Sequence, residues 1–386
     1  MKVQRTALVV MVLAALIPGV VRAQDYVTIT PPRVVPGSTG YGVLVESALN
    51  DALLLATADL EAEIDLQLEP YIGQDMLALG FANAGATAAH VGTQRSFNDY
   101  KHFALTVGTG VALSAPSSDP SVIEQAVLDI ETAGDFYFGM ATQPIAAALG
   151  INLGRFVNNL YGTVKVGYAS IPAGMLAEEF SFESLAAGFM LDYQLLETRR
   201  LPLGFLRWRG LTVGSGLIFQ QNESVFEIDF PVDPVTQEPE LDPLGLDPTI
   251  PDTLVTELQV EPTLRLAATS SSWSIPLEAT TGLRILWFFD INIGAGVDLA
   301  FGSSDIGLDI TSPVTVTENT GIVQFEEGSV AIDAGTAGDG PQFIRPRLTG
   351  GVGLNLGPVK LDVPVMYYFD EEGNSAMVAV NLGIVW

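Results

Sequence analysis

The last eleven residues of the chain, Ala376 to Trp386, read A-M-V-A-V-N-L-G-I-V-W. In an extended strand, successive side chains point to opposite faces. One face would then be wholly apolar and consist of Ala376, Val378, Val380, Leu382, Ile384 and Trp386. A helix would scatter these residues around its surface, so the period of two favours a strand. Such a strand suits a membrane-spanning barrel, although the last strand of a soluble sandwich has an equally apolar inner face.

The first 23 residues have the pattern of a secretory signal peptide. Lys2 and Arg5 precede an apolar run over residues 7–17, and small residues suit cleavage after Ala23. The chain has no cysteine, which excludes a lipidated signal, disulfides and thiolate metal sites. No later segment has the ~18 consecutive apolar residues of a membrane-spanning helix. With a mean hydropathy of +0.35, the chain must bury its apolar surface in a core or expose it to lipid as a closed barrel.

The charge balance is strongly acidic. The formal net charge is −28, from 17 basic and 45 acidic residues. Removing Lys2, Arg5 and Arg22 with the signal peptide leaves 14 basic residues and a net charge of −31. Such a field repels nucleic acid and would favour cations at a pore mouth, so nucleic acid is not an expected partner. Charged residues make up only 16% of the chain and there are 39 glycines, which fits many strands joined by tight turns.

Several segments share the alternation of the last strand. In the clearest, Phe289 to Phe301, apolar residues occupy every odd position and aromatic residues stand at both ends. The predicted strands span residues 103–113, 160–168, 187–195, 211–219, 254–266, 273–285, 289–301, 345–356, 359–369 and 376–386, with two to four more candidates within 136–156, 223–230 and 306–332. Single-chain bacterial barrels have an even number of strands. We therefore predict an all-β, antiparallel transmembrane β-barrel of 10–14 strands, formed by residues 101–386.

Counting strands back from the end predicts the orientation of the barrel. If the last residue lies on the periplasmic side, the Gly357-Pro358 turn lies there too, and residues 303–343 face outside. The same count places the Pro- and acid-rich loop at 232–252 on the periplasmic side, although long loops are expected outside. We therefore expect the list of predicted strands to contain one strand too many or one too few near residues 269–288.

Residues 24–100 precede the predicted barrel and contain two helical patterns. One has apolar residues at the three- and four-residue spacing of an amphipathic helix, namely Leu49, Leu53, Ala56, Leu60 and Ile64. The other, residues 75–89, is rich in small residues that permit close backbone packing. This N-terminal segment is expected either to pack against the body of the protein or to plug or cap the barrel.

Charged residues of both signs fall on the faces opposite the apolar ones. They would line a polar lumen, or pair as ions that fill a closed interior. The lumen candidates are Lys165, Asp192, Glu257, Glu261, Arg265, Glu278, Arg284, Asp290, Asp298, Arg345, Arg347, Lys360 and Asp362. Four arginines lie close together around one turn: Arg199, Arg200, Arg207 and Arg209. They would either contact anionic headgroups at the inner surface of the membrane that the barrel spans or form a solvated turn.

The export signal, the repeated strands and the terminal strand together resemble bacterial outer-membrane β-barrel proteins. This resemblance implies outer-membrane lipid and the barrel-assembly machinery as partners. It also implies insertion through a terminal-strand signal, carried here by Val378, Val380, Leu382, Ile384 and Trp386. The N-terminal helical segment resembles the plugged fatty-acid transporter family, whose Asn-Pro-Ala element has Asn83-Ala84-Gly85 as its nearest string here. The acidic, cysteine-free composition is similar to that of spirochaetal surface barrels.

The sequence offers little to a catalytic interpretation. G-x-S-x-G, P-loop and H-E-x-x-H motifs are absent, and the two histidines, His90 and His102, have no serine two residues away on a predicted strand. We predict no enzyme, no metal site and no cofactor. The predicted function is a channel or transporter for small solutes across the bacterial outer membrane. The alternative is a surface-exposed adhesin-type or structural barrel with a filled, non-conducting interior that binds an extracellular ligand.

Overall fold

The computed structural model describes residues 27–38, 43–68, 75–93, 100–116, 137–174, 180–202, 205–229, 235–237, 256–260, 263–318 and 323–386. The signal peptide predicted at 1–23 and most of the acidic loop at 232–252 lie outside these residues. The described helices are α1 (Val43–Leu68) and α2 (Asp75–Ala88). Neither of them is long and apolar enough to cross a membrane.

The strands account for most of the described chain. They are β1 (Val27–Thr30), β2 (Arg33–Val34), β3 (Phe103–Ala115), β4 (Gly139–Asn152), β5 (Leu160–Ile171), β6 (Phe180–Leu196), β7 (Arg199–Arg200), β8 (Leu206–Asp229), β9 (Val235–Gln237), β10 (Thr256–Val260), β11 (Thr263–Ile285), β12 (Phe289–Glu318), β13 (Phe325–Glu326), β14 (Gly328–Asp339), β15 (Ile344–Leu356), β16 (Val359–Phe369) and β17 (Asn374–Val385).

Ten of these strands form one closed antiparallel ring. The order around the ring is β3, β4, β5, β6, β8, β11, β12, β15, β16 and β17, and the pairing of β17 with β3 closes it. At this seam the backbone N–H of Trp386 donates to Phe103 O at 2.9 Å, and the two rings stack with their centroids 5.1 Å apart. The predicted all-β antiparallel barrel is confirmed, at the lower limit of the predicted strand number.

The outer surface of the ring is apolar and its inner surface is polar. Outward-facing Leu382 is 56% exposed, whereas inward-facing Asp298 is 1% exposed. On β12 the outward apolar band runs from Phe289 to Phe301, which at ~3.3 Å per residue and a tilt of ~45° spans roughly 28 Å. The hydrocarbon core of a bilayer is about as thick. The outer surface therefore matches a lipid-facing wall.

The two ends of the barrel differ in the length of their connections. Short turns at 153–159, 197–205, 286–288 and 357–358 lie at the end where Trp386 lies. The long connections join strands at the opposite end. Outer-membrane barrels place short turns in the periplasm and long loops outside, so we call these the periplasmic end and the extracellular end.

The strand number agrees with the prediction only because two errors offset each other. Residues 254–266 and 273–285 were predicted as two barrel strands, but β11 runs unbroken through most of that range. Conversely, β4 is a full member of the ring, although 136–156 was only a candidate region. The correction moves the connection that contains the acidic loop, between β8 and β11, to the extracellular end.

Beyond the membrane, β8, β11 and β12 continue as a projecting sheet. β14 pairs with the outer part of β12, β1 pairs with β14, and β10 pairs with β12 and β9. Helix α1 packs on this sheet through Leu53, Ala56 and Leu60, which share a core with Leu258 and Ile310 among others. Four of the five residues predicted for the apolar face of this helix are buried, namely Leu49, Leu53, Ala56 and Leu60, and the side chain of Ile64 lies outside the described residues. We call α1, β1, β9, β10, β14 and the outer parts of β8, β11 and β12 the extracellular platform.

Candidate functional site in the barrel lumen

Helix α2 lies inside the ring, in its extracellular half. Ala84 and Ala88 pack with residues of β3, β4 and β17, whereas Leu77 and Ala78 pack with residues of β11 and β12. Just after the helix, Ala89 packs with residues of β6 and β8. Contacts in so many directions mean that the wall surrounds the helix, which therefore occludes the lumen.

The small residues of α2 are what allow a helix to fit inside the ring. A Cβ added at Gly80 would collide with the backbone of Phe138, and a Cβ added at Gly85 would lie 2.8 Å from Ser270 Oγ. Real Cβ atoms essentially never come so close to other heavy atoms. The abundance of Ala and Gly in this segment is thus explained by close packing against the barrel wall.

Arg345, on the inner face of β15, is the strongest anchor of the helix. Its guanidinium donates to Asn83 O at 3.0 Å and to Thr87 Oγ1 at 2.9 Å, both on α2. The same side chain forms a bidentate pair with Asp370, with both N···O distances 2.8 Å. Such charge-assisted pairs are among the strongest hydrogen bonds in proteins. Arg345 therefore ties the helix to the β16–β17 turn at the extracellular end.

A second anchor is centred on Asp298 of β12. Its carboxylate receives hydrogen bonds from Arg347 Nε at 2.8 Å and from the Tyr368 hydroxyl at 2.7 Å, and it lies 2.6 Å from His90 Nε2. Arg347 also donates to Glu278 at 2.5 Å. All five side chains are buried. We call this set the Asp298 hub, and it links the segment after α2 to four strands of the wall.

Tyr368 joins the two anchors. The Arg345 guanidinium carbon lies 4.4 Å from the centroid of its ring, and that of Arg347 lies 5.9 Å from it. Cations within about 6 Å of an aromatic face are attracted by its quadrupole. Two buried arginines on the same strand can therefore coexist because Asp298, Asp370 and the ring face compensate their charge.

Further contacts hold the middle of α2 and the segment that follows it. The Asn83 amide donates to the Tyr137 hydroxyl at 2.9 Å and accepts from the backbone N–H of Gln342, also at 2.9 Å. Burial raises the pKa of Tyr137, so its hydroxyl stays neutral at physiological pH. Past the helix, Lys165 Nζ donates to Ala89 O. These polar contacts therefore add to the apolar packing that holds the helix against the wall.

Ten of the thirteen lumen candidates are buried on the inner face of the barrel: Lys165, Asp192, Glu278, Arg284, Asp290, Asp298, Arg345, Arg347, Lys360 and Asp362. Glu257 and Arg265 need correction. Glu257 is exposed on β10 of the extracellular platform. Arg265 shares the odd, outward parity of Trp273 on the unbroken β11, and it pairs there with Asp309 at 3.2 Å and Glu227 at 3.6 Å. Glu261 lies outside the residues whose side chains are described.

The periplasmic half of the lumen is less filled. Arg284 forms a bidentate pair with Asp290, at 2.8 and 3.0 Å, and Arg209 lies 3.8 Å from the same carboxylate. Beside this pair is a small open cleft. Its lining is mostly uncharged and includes Gln194, Thr198, Thr212, Thr280, Asn292 and Thr349. We call it the periplasmic cleft.

Several residues of the site were not predicted from the sequence to lie in the lumen. His90, Asn83 and Tyr368 belong to it, as does an uncharged chain on the opposite wall, in which the Gln220 amide lies 2.9 Å from both Gln143 Oε1 and Ser184 Oγ. For those that lie on strands, the sequence pattern that indicates a lumen position is a neutral polar residue on the inward-facing side of the strand. The partners of these residues could not be predicted, because they are far apart in the chain.

The remaining predicted positions lie on the outside. Val378, Val380, Leu382, Ile384 and Trp386 all face outward and are exposed. Arg199, Arg200 and Arg207 are exposed at the periplasmic end, whereas Arg209 is half-buried near Asp290. In the described part of the chain, no group of three or more His, Asp or Glu side chains could hold a metal ion.

A closed antiparallel ring with an apolar outer band and a polar interior defines a bacterial outer-membrane β-barrel. The chain belongs to the Lsa36-like family, whose model matches residues 32–386. That family is a spirochaetal surface family, which agrees with one of the resemblances noted from the sequence. No curated protein matches the sequence.

Comparison with solved structures finds distant similarity to outer-membrane transport proteins by their names, three of which follow. The CymD monoaromatic hydrocarbon channel is 9% identical, with 82% of this chain and 97% of that chain covered and a TM-score of 0.24. The transport unit of the autotransporter AIDA-I from Escherichia coli is 10% identical, with 79% and 99% covered and a TM-score of 0.33. A Pseudomonas aeruginosa FadL homologue is 8% identical, with 79% and 98% covered and a TM-score of 0.23.

Proposed function

We propose that this barrel transports a small solute across the outer membrane and that α2 is its gate. The observation that carries the proposal is a helix of small residues that occludes an otherwise polar lumen above an open cleft. Outer-membrane lipid surrounds the barrel in this proposal, and the barrel-assembly machinery inserts it through the β17 signal. No catalytic role is proposed for any residue.

The surface of α2 is suited to movement. Ala82, Ala84, Ala86 and Ala88 present only methyl groups to the wall, so this part of the helix can shift without withdrawing large side chains; Leu77 and Phe81 near its start are the exceptions. The polar contacts that resist a shift include the hydrogen bonds of Arg345, Asn83 and Lys165 and the Asp298 hub. When the helix moves, water or solute groups can take the place of the lost hydrogen-bond partners, so the free-energy cost of breaking these hydrogen bonds is partly offset.

The wall beside α2 carries polar atoms that would destabilise a barrel whose lumen is permanently filled by the helix. Among the described residues, Ser272 Oγ, Ser274 Oγ, Gln220 Oε1 and Asn222 Nδ2 are buried and have no hydrogen-bond partner. Each unsatisfied buried polar atom costs about 1–3 kcal/mol. A displaced helix would let water or solute reach these atoms, which supports a state in which the lumen is open.

The periplasmic cleft favours an uncharged, hydroxyl- or amide-bearing solute. Its threonine hydroxyls and its Asn and Gln amides both donate and accept hydrogen bonds. The charged side chains of the lumen are largely paired with one another, as Arg284 is with Asp290. A solute with many hydroxyl groups can exchange its hydration for such contacts at little net cost.

A disulfide lock tests the gate directly, because the chain has no cysteine of its own. A Cβ at Gly85 would lie 3.5 Å from Ser270 Cβ, within the range that a disulfide requires. We expect the G85C/S270C variant to conduct in planar bilayers when reduced and to lose conductance when oxidised. The controls are G85C/S270A, which lacks the hydroxyl that a Cβ at Gly85 would meet, and the single variant S270C. Treated with the same oxidant, both should keep their conductance.

Two results would reject the proposal. Conductance that is equal in the oxidised and reduced double variant would mean that α2 does not gate the lumen. Absence of conductance in the wild type and in every reduced variant would mean that the barrel is not a channel. If oxidation does close the channel, liposome swelling with neutral oligosaccharides and with salts of matched size would identify the solute class.

The platform favours a second candidate function, a surface-exposed adhesin-type or structural barrel with a filled interior. A folded unit with its own hydrophobic core projects from the extracellular end. Loss of binding to an extracellular ligand after exchange of the loops, with barrel and conductance behaviour unchanged, would support this alternative.

A further inference from the structure

The path of the chain through the lumen has a fixed direction. Residues 27–68 contribute β1 and α1 to the extracellular platform, whereas β3 begins at the periplasmic end, where Phe103 meets Trp386. Between these points the chain runs from the extracellular end to the periplasmic end through the inside of the ring. The N-terminal part of the described chain therefore lies on the far side of the membrane from the start of the barrel.

Contacts along this path establish its direction. Leu77, early in α2, packs with Leu266 and Ile306, which lie above the membrane band. Later, His90 reaches Asp298 within the band. Finally, the Tyr100 carbonyl accepts from the Asn152 side chain at 3.0 Å, at the periplasmic ends of β3 and β4. Each step lies nearer the periplasm than the one before.

We propose that residues 27–68 reach the cell surface through the lumen of their own barrel and are displayed there, with α2 left as the tether. A chain exported to the periplasm must carry this segment across the outer membrane. The hydrocarbon core does not accept an unpaired backbone, so the polar lumen is the available route. The inference does not depend on solute transport, since a sealed barrel could display the segment equally well.

The dimensions of the ring indicate the state in which the segment crosses. Ten strands about 4.8 Å apart and tilted by ~45° give a backbone radius on the order of 11 Å. After inward side chains are counted, this leaves room for roughly one helix of 10–12 Å diameter. The lumen has no room for α1 together with β1 and its other packing partners, so residues 27–68 cross before they fold on the platform.

Folding on the platform would then hold the segment outside. β1 forms an antiparallel ladder with β14, from Val27↔Ile332 to Thr30↔Ser329. Leu53 and Leu60 are buried in the core of the platform, whose other residues come from β10, β12 and β14. These partners are available only at the extracellular end. Their burial makes return through the lumen unfavourable, because the apolar surface would be exposed again.

Cysteine labelling on intact cells tests the display. Leu55 is 69% exposed on α1, so L55C should react with a membrane-impermeant maleimide. The control for the outside is E372C, at an exposed residue of the β16–β17 turn at the extracellular end. The control for the periplasm is R200C, at an exposed turn position. The exposed D51C, on the same helix, replaces L55C if that variant fails to fold, as judged by heat-modifiable mobility.

We expect L55C and E372C to be labelled to the same extent on intact cells, and R200C to be labelled only after the outer membrane is permeabilised. If L55C and D51C follow R200C instead, residues 27–68 remain in the periplasm and the proposal is overturned. If E372C is protected and R200C is labelled, the orientation of the barrel is reversed, which overturns it as well.

Discussion

Arg345 and Arg347 lie two residues apart on the inner face of β15, and both are almost completely buried. Removing a charge from water costs several kcal/mol, so each arginine needs a compensating carboxylate with good geometry. Asp370 supplies it for Arg345, and Asp298 with Glu278 supplies it for Arg347. At the scale of single residues, the lumen is therefore stabilised by pairing and not by hydration.

Breaking one of these pairs should be costly. R347M leaves Asp298 and Glu278 buried without their guanidinium, and we expect it to lower the free energy of unfolding by about 3–5 kcal/mol. The matched control is R265M, because Arg265 pairs with Asp309 on the outside and its side chain is 42% exposed. We expect the control to change stability by ~1 kcal/mol or less.

Urea titration of the folded band in detergent would measure both variants. Equal stability of R347M and the wild type would show that the Asp298 hub does not hold the helix in place.

At the scale of the element, strict alternation made most strands predictable, and its failure explains the errors. β4 has small or apolar residues on both faces, because α2 packs against its inner side. It also contains Pro144, which is unusual within a strand. β11 loses its alternation at residues 269–272, T-S-S-S, where it leaves the membrane and no lipid requires an apolar outer face. No local sequence pattern indicates that α2 covers β4 or that β11 leaves the membrane at this point.

The terminal strand β17 yields a test of the lipid-facing wall. Val380 lies near the middle of the outward band and Ile384 lies near its periplasmic edge. An arginine on the lipid face costs about 2–4 kcal/mol at the midplane and ~1 kcal/mol or less near the interface. We therefore expect V380R to be clearly less stable than I384R, as measured by reversible unfolding in lipid vesicles. A ranking in the opposite order would contradict the assigned position of the band.

At the scale of the whole molecule, the chain has segregated its charge. Of the exposed lysines and arginines that the structure describes, five lie at the periplasmic end, although the net charge is −28: Lys101, Arg155, Arg199, Arg200 and Arg207. The sixth, Arg33 on β2, lies at the extracellular end. The acid-rich connection between β8 and β11 emerges at the other end. This arrangement favours cations near the extracellular mouth.

The barrel, its face polarity and its approximate strand number could be predicted from sequence, because lipid imposes a period of two on each strand separately. The lumen contacts could not, because they join distant parts of the chain. His90 and Asp298 are 208 residues apart, and Arg345 is 262 residues from its partner Asn83 O. Only ring closure and the entry of α2 bring such residues together.

The central claim is that the chain forms a closed membrane barrel, and heat-modifiable mobility on a detergent gel tests it most directly. A closed barrel resists unfolding by detergent at room temperature, so the unheated protein should migrate faster than the boiled protein, after extraction from the outer-membrane fraction. A single mobility at both temperatures, together with solubility in the absence of detergent, would contradict the account.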